Sequence, residues 1–210
     1  MNVLALANDS QKEELLSLPV KNIVRITWIK TTADINADES FDACIDLLFD
    51  NNPGRVEWLK NLQSPLIIIN AVSIPLKDIK EEFIRINGWN TFLKRPVIEA
   101  AAFTSILKTK AEELFLNLGR KTEWVADITG FITPRVVVSI INEAFFALEE
   151  KVSTEEEIDT AMKTGTNYPY GPFEWSKKIG LQHIYSLLTA LSKEENRYQP
   201  SALLKQTVLA

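Results

Sequence analysis

GFITPRVVVSIINEAFFALEEKVSTEEEIDTAMKTGTNYPYGPFEW, running from Gly130 to Trp175, is the stretch from which the rest of the chain can be read. Thr133 is placed to cap a helix, and Pro134 suits the first helical position, where an N–H would have no partner inside the helix. The helix that follows carries Val137, Ile141, Ala144 and Leu148 at spacings of four, three and four. Ile140 and Phe145 lie beside them, so one broad apolar stripe must be buried. Glu149, Glu150 and Lys151 close it. Ser153 with Glu156, or Thr154 with Glu157, makes a capping box that opens a second helix bearing Ile158, Ala161 and Met162, with Gly165 as its left-handed closing residue. Gly171 and Pro172 restart the chain into a short helix ending near Gly180. Leu181, Ile184, Leu187, Leu188 and Leu191 then mark a fourth helix, and residues 129–210 read as one helical domain.

Working back toward the start, the pattern changes from helical to alternating. Asn2 to Ala7 reads as a buried strand, Ser10 to Leu18 as a helix with Leu15, Leu16 and Leu18 inward, and Asn22 to Lys30 as a second strand. Phe41 to Phe49 is a third, between an acidic loop and Asn51–Asn52–Pro53–Gly54. Pro53 opens a helix carrying Val56, Leu59 and Leu62, and the isoleucine-rich Pro65 to Asn70 is another strand. Ile74 to Ile86 reads as a helix, Trp89 to Phe103 contains extended segments, Ser105 to Leu118 reads as a helix ending at Gly119, and Thr122 to Ile128 as the last strand. Strands alternating with short helices predict a parallel sheet with crossover helices, a Rossmann-like domain over residues 1–128. The boundary falls near Asp127 to Gly130, with no low-complexity linker and no repeat.

Composition narrows the function classes. A chain of 210 residues with 46% hydrophobic content is long enough for two small cores. Its formal charge of −5, without any Lys/Arg cluster, argues against nucleic acid, which requires a basic face. There is no apolar run of about 18 residues, the length a membrane helix needs. The start, NVLALANDSQKEE, has neither the basic lead nor the cleavage site of a secretory signal. Cys44 is the single cysteine, which excludes a disulfide framework and a cysteine metal site. These observations predict a cytoplasmic protein that does not engage membranes.

The C-terminal stretch resembles the C-terminal domain of the 3-hydroxyacyl-CoA dehydrogenases. The likeness is carried, in order, by GFITPR, INEAFFALEE, EEIDTAMKTG and NYPYGPFEW, and continues into RYQPSALL from Arg197. The resemblance implies a fold of the 6-phosphogluconate/3-hydroxyacyl-CoA dehydrogenase type: a reduced Rossmann-like N-terminal domain plus an all-α C-terminal domain. It also reaches into the first half. FDACIDLLFDNNPGRVEWLKNL is similar to the family's acidic strand and following helix, with Asp46 and Asp50 where glutamates are usual and Arg55 where lysine is usual. Asn70 of IIINAVSIPL matches the asparagine of the family's NTSSL motif. GWNTFLKRPVIEAA corresponds to the segment that carries the family's catalytic histidine.

The chemistry does not follow the topology. A dinucleotide fold needs glycines after its first strand, so that backbone N–H groups and a helix N-terminus can approach the pyrophosphate. This chain has no glycine before Gly54. Its turn is Ala7, Asn8, Asp9, Ser10, which reads as an ordinary strand-to-helix turn with Asp9 or Ser10 as N-cap. Ile29 and Lys30 end the second strand where the family places a ribose-binding acid, and Asp34 is the nearest carboxylate. The nucleotide side of the sheet reads as truncated, and no cofactor is expected, although the family uses NAD.

Hydride transfer from a secondary alcohol also needs a base for the hydroxyl proton. The resemblance carries the family's histidine onto Asn90, its partner glutamate, twelve residues on, onto Ala102, the motif serine onto Val72 with Ser73 next door, and the asparagine of the long helix onto Pro134. All four roles are vacated. His183, the only histidine, sits on the fourth helix on the side away from Leu181 and Leu188 and reads as solvent-facing. Asp46 with Asp50 and Glu81 with Glu82 read as caps or solvated faces, and no HxxE or HxxH spacing offers a metal site.

Three readings follow. The resemblance implies dimerisation through the C-terminal helices, which favours a non-catalytic homodimer that keeps an acyl-CoA-type groove, with Arg55, Lys94 or Arg95 as phosphate contacts. Asp46, Asp50, Arg55 and Asn70 are the candidate positions on the cofactor side. The alternatives are an active 3-hydroxyacyl-CoA oxidoreductase with an atypical site, and a subunit that docks on a full-length dehydrogenase. Tyr168, Tyr170, Phe173 and Trp175 read chiefly as packing beneath their turn.

Overall fold

The structure is a computed structural model that describes residues 1–35 and 39–209, so part of the acidic loop before Phe41 lies outside the described residues. The chain divides into two compact units, Met1–Phe131 and Ile132–Ala210.

The first unit is built on a seven-stranded sheet. Strands β1 (Asn2–Leu6), β2 (Arg25–Ile29), β3 (Ala43–Asp46), β4 (Ile67–Asn70) and β5 (Ile84–Ile86) run parallel. β6 (Val97–Ala101) is antiparallel to β5, and β7 (Lys121–Trp124) is parallel to β6. The spatial order is β2-β1-β3-β4-β5-β6-β7. β3 and most of β1 and β4 are buried on both faces, which is why they read as mostly apolar runs rather than alternating ones. β2 and β7 lie at the edges and do alternate. The side-chain period of two sends Ala43, Ile45 and Leu47 into one core with Leu114 and Phe115 of helix α4 (Ser105–Asn117) and with Leu118, its C-cap. Leu4, Leu6 and Cys44 enter a second core with Leu59 of helix α2 (Pro53–Asn61).

Two expectations in this unit are overturned. The segment 74–86 is not one helix: α3 is a single turn, Leu76–Ile79, closed by Lys80 in the left-handed region, and the chain then enters β5. Pairing with β4 and β6 outweighs the helical spacing of that segment. Helix α1 spans Asp9–Leu15 rather than Ser10 to Leu18, and Leu16 faces solvent. Within Trp89 to Phe103, residues 90–94 form a turn and β6 supplies the extended structure expected there.

Arg85 of β5 is fully buried, and its guanidinium gathers the segment that leaves the sheet. Nη1 donates to Asp127 Oδ1 at 2.6 Å, Nη2 donates to the Ile128 carbonyl at 2.7 Å, and the Phe131 ring lies 4.0 Å away. Asp127 also accepts from the Leu76 and Lys77 N–H groups at the start of α3. Burial pushes the Arg85 pKa down to about 10, against the pull of Asp127.

The second unit is helical: α5 (Thr133–Glu149), α6 (Glu155–Thr166), α7 (Pro172–Ile179), α8 (Leu181–Ser192) and α9 (Ala202–Leu209). Val137, Ile141, Ala144 and Phe145 of α5 are buried with Ile184, Leu187, Leu188 and Leu191 of α8, while Leu148 is half-buried. Thr133 is the first residue of α5 rather than its cap, because Ile132 is already helical. Thr154 with Glu157 makes the capping box of α6. That helix runs past Gly165 and ends at Asn167, whose φ of 57° provides the left-handed turn.

The most recognisable sequence fragments prove to be fasteners between these helices. Asp159 of α6 is buried, and its carboxylate accepts from the N–H groups of Phe173 at 2.7 Å and Glu174 at 3.0 Å, capping α7. Asn142 of α5 is buried and holds the chain before α9, donating to the Gln199 carbonyl at 2.9 Å and accepting from Ser201 N–H at 2.9 Å.

Candidate functional site

The spatial order reverses between β1 and β3, and a doubly wound sheet binds its ligand outside the C-terminal ends of the strands at that point. After β1 the chain turns through Ala7 and Asn8 into α1. Asn8, not Asp9 or Ser10, is the N-cap: its Oδ1 accepts from Gln11 N–H at 2.8 Å, and Gln11 Oε1 accepts from Asn8 N–H at 3.1 Å. Gln11 is only 5% exposed, and its Nε2 reaches across to donate to the Leu47 carbonyl beyond β3 at 2.9 Å.

The ends of the neighbouring strands are similarly engaged. At β2, Asp34 accepts from the N–H groups of Lys30 at 3.1 Å and Thr31 at 2.9 Å, and these bonds hold its carboxyl below the ordinary aspartate pKa. Lys30 Nζ lies 3.0 Å from Asp9 Oδ2 in an exposed ion pair. At β3, Asp46 is wholly buried and takes both Nε and Nη2 of Arg55, at 2.6 and 2.8 Å, so these two candidates are committed to each other. Burial pushes the Asp46 pKa up, against the opposing pull of Arg55. Asp50 accepts from Asn52, the cap of α2. At β4, Asn70 donates to the Leu47 carbonyl at 3.1 Å and accepts from Gly88 N–H at 3.0 Å.

The polar pair nearest the candidate catalytic segment is not the expected one. Asn87 N–H donates to the Glu99 carbonyl at 3.0 Å, and Asn87 Nδ2 donates to Glu99 Oε2 at 3.2 Å. Asn87 and Glu99 are twelve residues apart, each three residues before the positions named above, Asn90 and Ala102. Asn90 lies half-buried in the turn after β5, and Ala102 is half-buried against the core. The signal that would have found the pair was the spacing itself, since Glu99 is a glutamate and Ala102 is not. Val72 is buried with its carbonyl accepting from Gly130 N–H, and Pro134 is buried in the first turn of α5. His183 is on the exposed side of α8.

Lys94 is exposed, and Arg95 stacks on the Phe92 ring at 4.5 Å. The turn that carries them is tied to α1 by Glu14, whose carboxylate accepts from Thr91 N–H at 2.7 Å. Buried Arg120 reinforces the tie by donating to the carbonyls of Leu93, Leu118 and Glu14. In the second unit, a cleft of about 260 Å³ lies between α5 and α8, among Ser139, Asn142, Glu143, Phe146, Leu188 and Tyr198. Ile132, the N-cap of α5, and Val136 in its first turns are 58% and 55% exposed. Among the described residues there is no group of three or more side chains able to hold a metal ion, and no helix long and apolar enough to cross a membrane.

A dinucleotide does not fit the β1 turn as these residues build it. The pyrophosphate needs backbone approach at glycines, whereas Ala7, Asn8 and Asp9 stand there and the Asp9 carboxylate faces the same end as the helix start. The ribose side has Lys30 in place of an acid, and that lysine is paired to Asp9.

The family described as "3-hydroxyacyl-CoA dehydrogenase, C-terminal domain" matches residues 130–210. The chain is 43% identical over 115 residues to the 3-hydroxyadipyl-CoA dehydrogenase of Escherichia coli K12, covering 53% of this chain but 24% of that protein. It is 28% identical over 221 residues to the probable 3-hydroxybutyryl-CoA dehydrogenase of Bacillus subtilis, covering 98% of this chain and 76% of that one. In fold it resembles FadB2 of M. tuberculosis, with a TM-score of 0.77 at 16% identity over 99% of this chain and 93% of that one.

Proposed function

Since the chain belongs to the 3-hydroxyacyl-CoA dehydrogenase family, we propose that it is a non-catalytic, cytoplasmic member that acts as a homodimer through its C-terminal helices. The observation that carries this reading is the bond from Asn87 Nδ2 to Glu99 Oε2. We assign this pair to the place of the family's histidine and glutamate. A carboxamide cannot accept the hydroxyl proton at neutral pH, so Glu99 holds a group that performs no acid–base step. Loss of a general base alone removes on the order of a hundred- to ten-thousand-fold, and the β1 turn removes the hydride acceptor as well.

The dimer is supported by the apolar side of α5. Ile132 and Val136 are exposed, and Ile140 and Phe146 are half-buried, on a helix whose opposite face is already covered. The reading keeps an acyl-CoA-type groove at the turn after β5, with Lys94 and Arg95 as phosphate contacts, and sets aside Arg55 because Asp46 holds it.

Sedimentation velocity and an NADH-formation assay with 3-hydroxybutyryl-CoA test the proposal on the purified chain. A dimer without NADH formation is the expected result. Turnover above background would establish instead the active oxidoreductase that the relatives' names suggest, and a monomer at micromolar concentration would remove the dimer.

A further inference from the structure

The carboxamides at the C-terminal edge of the first unit form one connected belt. Asn8 and Gln11 bond reciprocally at the end of β1. Gln11 Nε2 crosses to the Leu47 carbonyl at the end of β3, and the same carbonyl accepts from Asn70 Nδ2 at the end of β4. Asn70 Oδ1 then accepts from Gly88 N–H just after β5, and neighbouring Asn87 continues to Glu99 of β6. In strand order this passes over β1, β3, β4, β5 and β6 without a gap. Gly88 lets the belt close, because a Cβ there would lie 2.9 Å from Asn70 Cβ.

We infer that this belt stands in for the dinucleotide: the chain's own carboxamides take the backbone groups that a cofactor would otherwise engage, and Gln11 is the plug of the crevice. The inference rests on the non-catalytic reading but goes beyond it, since an inactive relative could still bind NAD. Buried polar groups require partners. At a dinucleotide site the ligand supplies them; here the N–H of buried Gln11 and the carbonyl of buried Leu47 receive them from within the chain, as does the N–H of Asn8, itself an exposed residue. The first unit therefore folds closed without a cofactor, and opening it means breaking bonds made by Gln11.

The test is thermal unfolding and amide exchange of the full chain with NAD, NADP or ADP at millimolar concentration, alongside Gln11→Ala, Gln11→Met and Asn70→Ala. The wild-type midpoint is expected to stay unchanged with all three nucleotides, with slow exchange at the Asn8 and Gln11 amides. Gln11→Met, which keeps the side-chain length, should lower the midpoint by about 2–4 °C and speed exchange at Asn8. If Gln11→Ala fails to fold, Gln11→Met and Asn70→Ala still report. A saturable rise in the wild-type midpoint with any of the three nucleotides overturns the inference, as does a Gln11→Met variant matching wild type in midpoint and Asn8 exchange. Binding without NADH formation would overturn this inference and leave the non-catalytic reading standing, whereas NADH formation would overturn that reading directly.

Discussion

Asp159 and Gly171 are packed so closely that a Cβ on Gly171 would lie 2.3 Å from the Asp159 carboxyl carbon. Gly171 has an ordinary φ of −70°, so it is needed for space rather than for backbone freedom. Gly171→Ala is expected to destabilise the second unit by about 1–3 kcal/mol, as overpacking does. Asp159→Ala removes two bonds to a charged acceptor at the start of α7, each worth on the order of 1.5–3 kcal/mol. Denaturant unfolding followed by tryptophan fluorescence, to which Trp175 contributes, measures both; a Gly171→Ala midpoint equal to wild type would contradict the packing.

Arg85 and Asp127 make a different kind of contact, because one partner is wholly buried. Asp127→Ala leaves the guanidinium without its counter-charge and is expected to cost about 3–5 kcal/mol. Arg85→Met with Asp127→Ala should cost less than Asp127→Ala alone, since no isolated charge is then buried. Equilibrium unfolding of the two variants decides the order.

Placing an imidazole beside Glu99 should not by itself produce hydride transfer. Asn87→His places a base beside Glu99 but leaves the β1 turn as it is. NADH formation with this variant is expected to stay at background. A rate that rises with NAD concentration would show that the crevice admits the cofactor after all.

An exposed apolar pair on α5 offers a direct handle on assembly. Val136→Asp alters a residue that is 55% exposed, so stability of the isolated chain should move by no more than about 0.5 kcal/mol. The same change should convert the proposed dimer to a monomer in sedimentation velocity. An unaltered dimer would place the contact elsewhere.

Acid sensitivity of the second unit is expected from two glutamates. The Ser153 hydroxyl, followed by the Thr154 N–H and hydroxyl, holds the Glu157 carboxyl below the ordinary glutamate pKa. Lys163, followed by Gly171 N–H, does the same for Glu174. A carboxylate whose folded pKa is depressed stabilises the fold fully above its unfolded value and loses that contribution as pH falls through the folded value. The stability of this unit should therefore decline below about pH 4.5, the ordinary glutamate value. Glu157→Gln with Glu174→Gln should flatten that decline in a pH series of thermal midpoints.

Much of the fold was legible because its local signals agree with its tertiary contacts. Thr154 with Glu157, Pro172 behind Gly171, and the leucine spacing of α8 each placed a helix. The isoleucines of β4 placed a strand buried on both sides. The segment 74–86 was not legible, because its charges and apolar spacing suit a helix while its value to the fold is as β5, which only β4 and β6 reveal. Asn167 closed α6 in place of Gly165 because asparagine also tolerates the left-handed region. At the candidate site, the missing glycines were visible from residue types alone. The belt was not, since Gln11 and Leu47 are linked by a bond that no spacing announces, whereas the twelve-residue spacing of Asn87 and Glu99 was present in the sequence and the register between β5 and β6 pairs them.

The fasteners in the second unit carry a lesson for recognising such chains. Asn142, Asp159 and Gly171 are the letters by which this sequence resembles a dehydrogenase, and every one of them serves to hold one helix against another. Likeness at these letters therefore reports a shared skeleton. A collection gathered by that signature would be sorted by helix packing rather than by chemistry, since the turn after the first strand lies outside it.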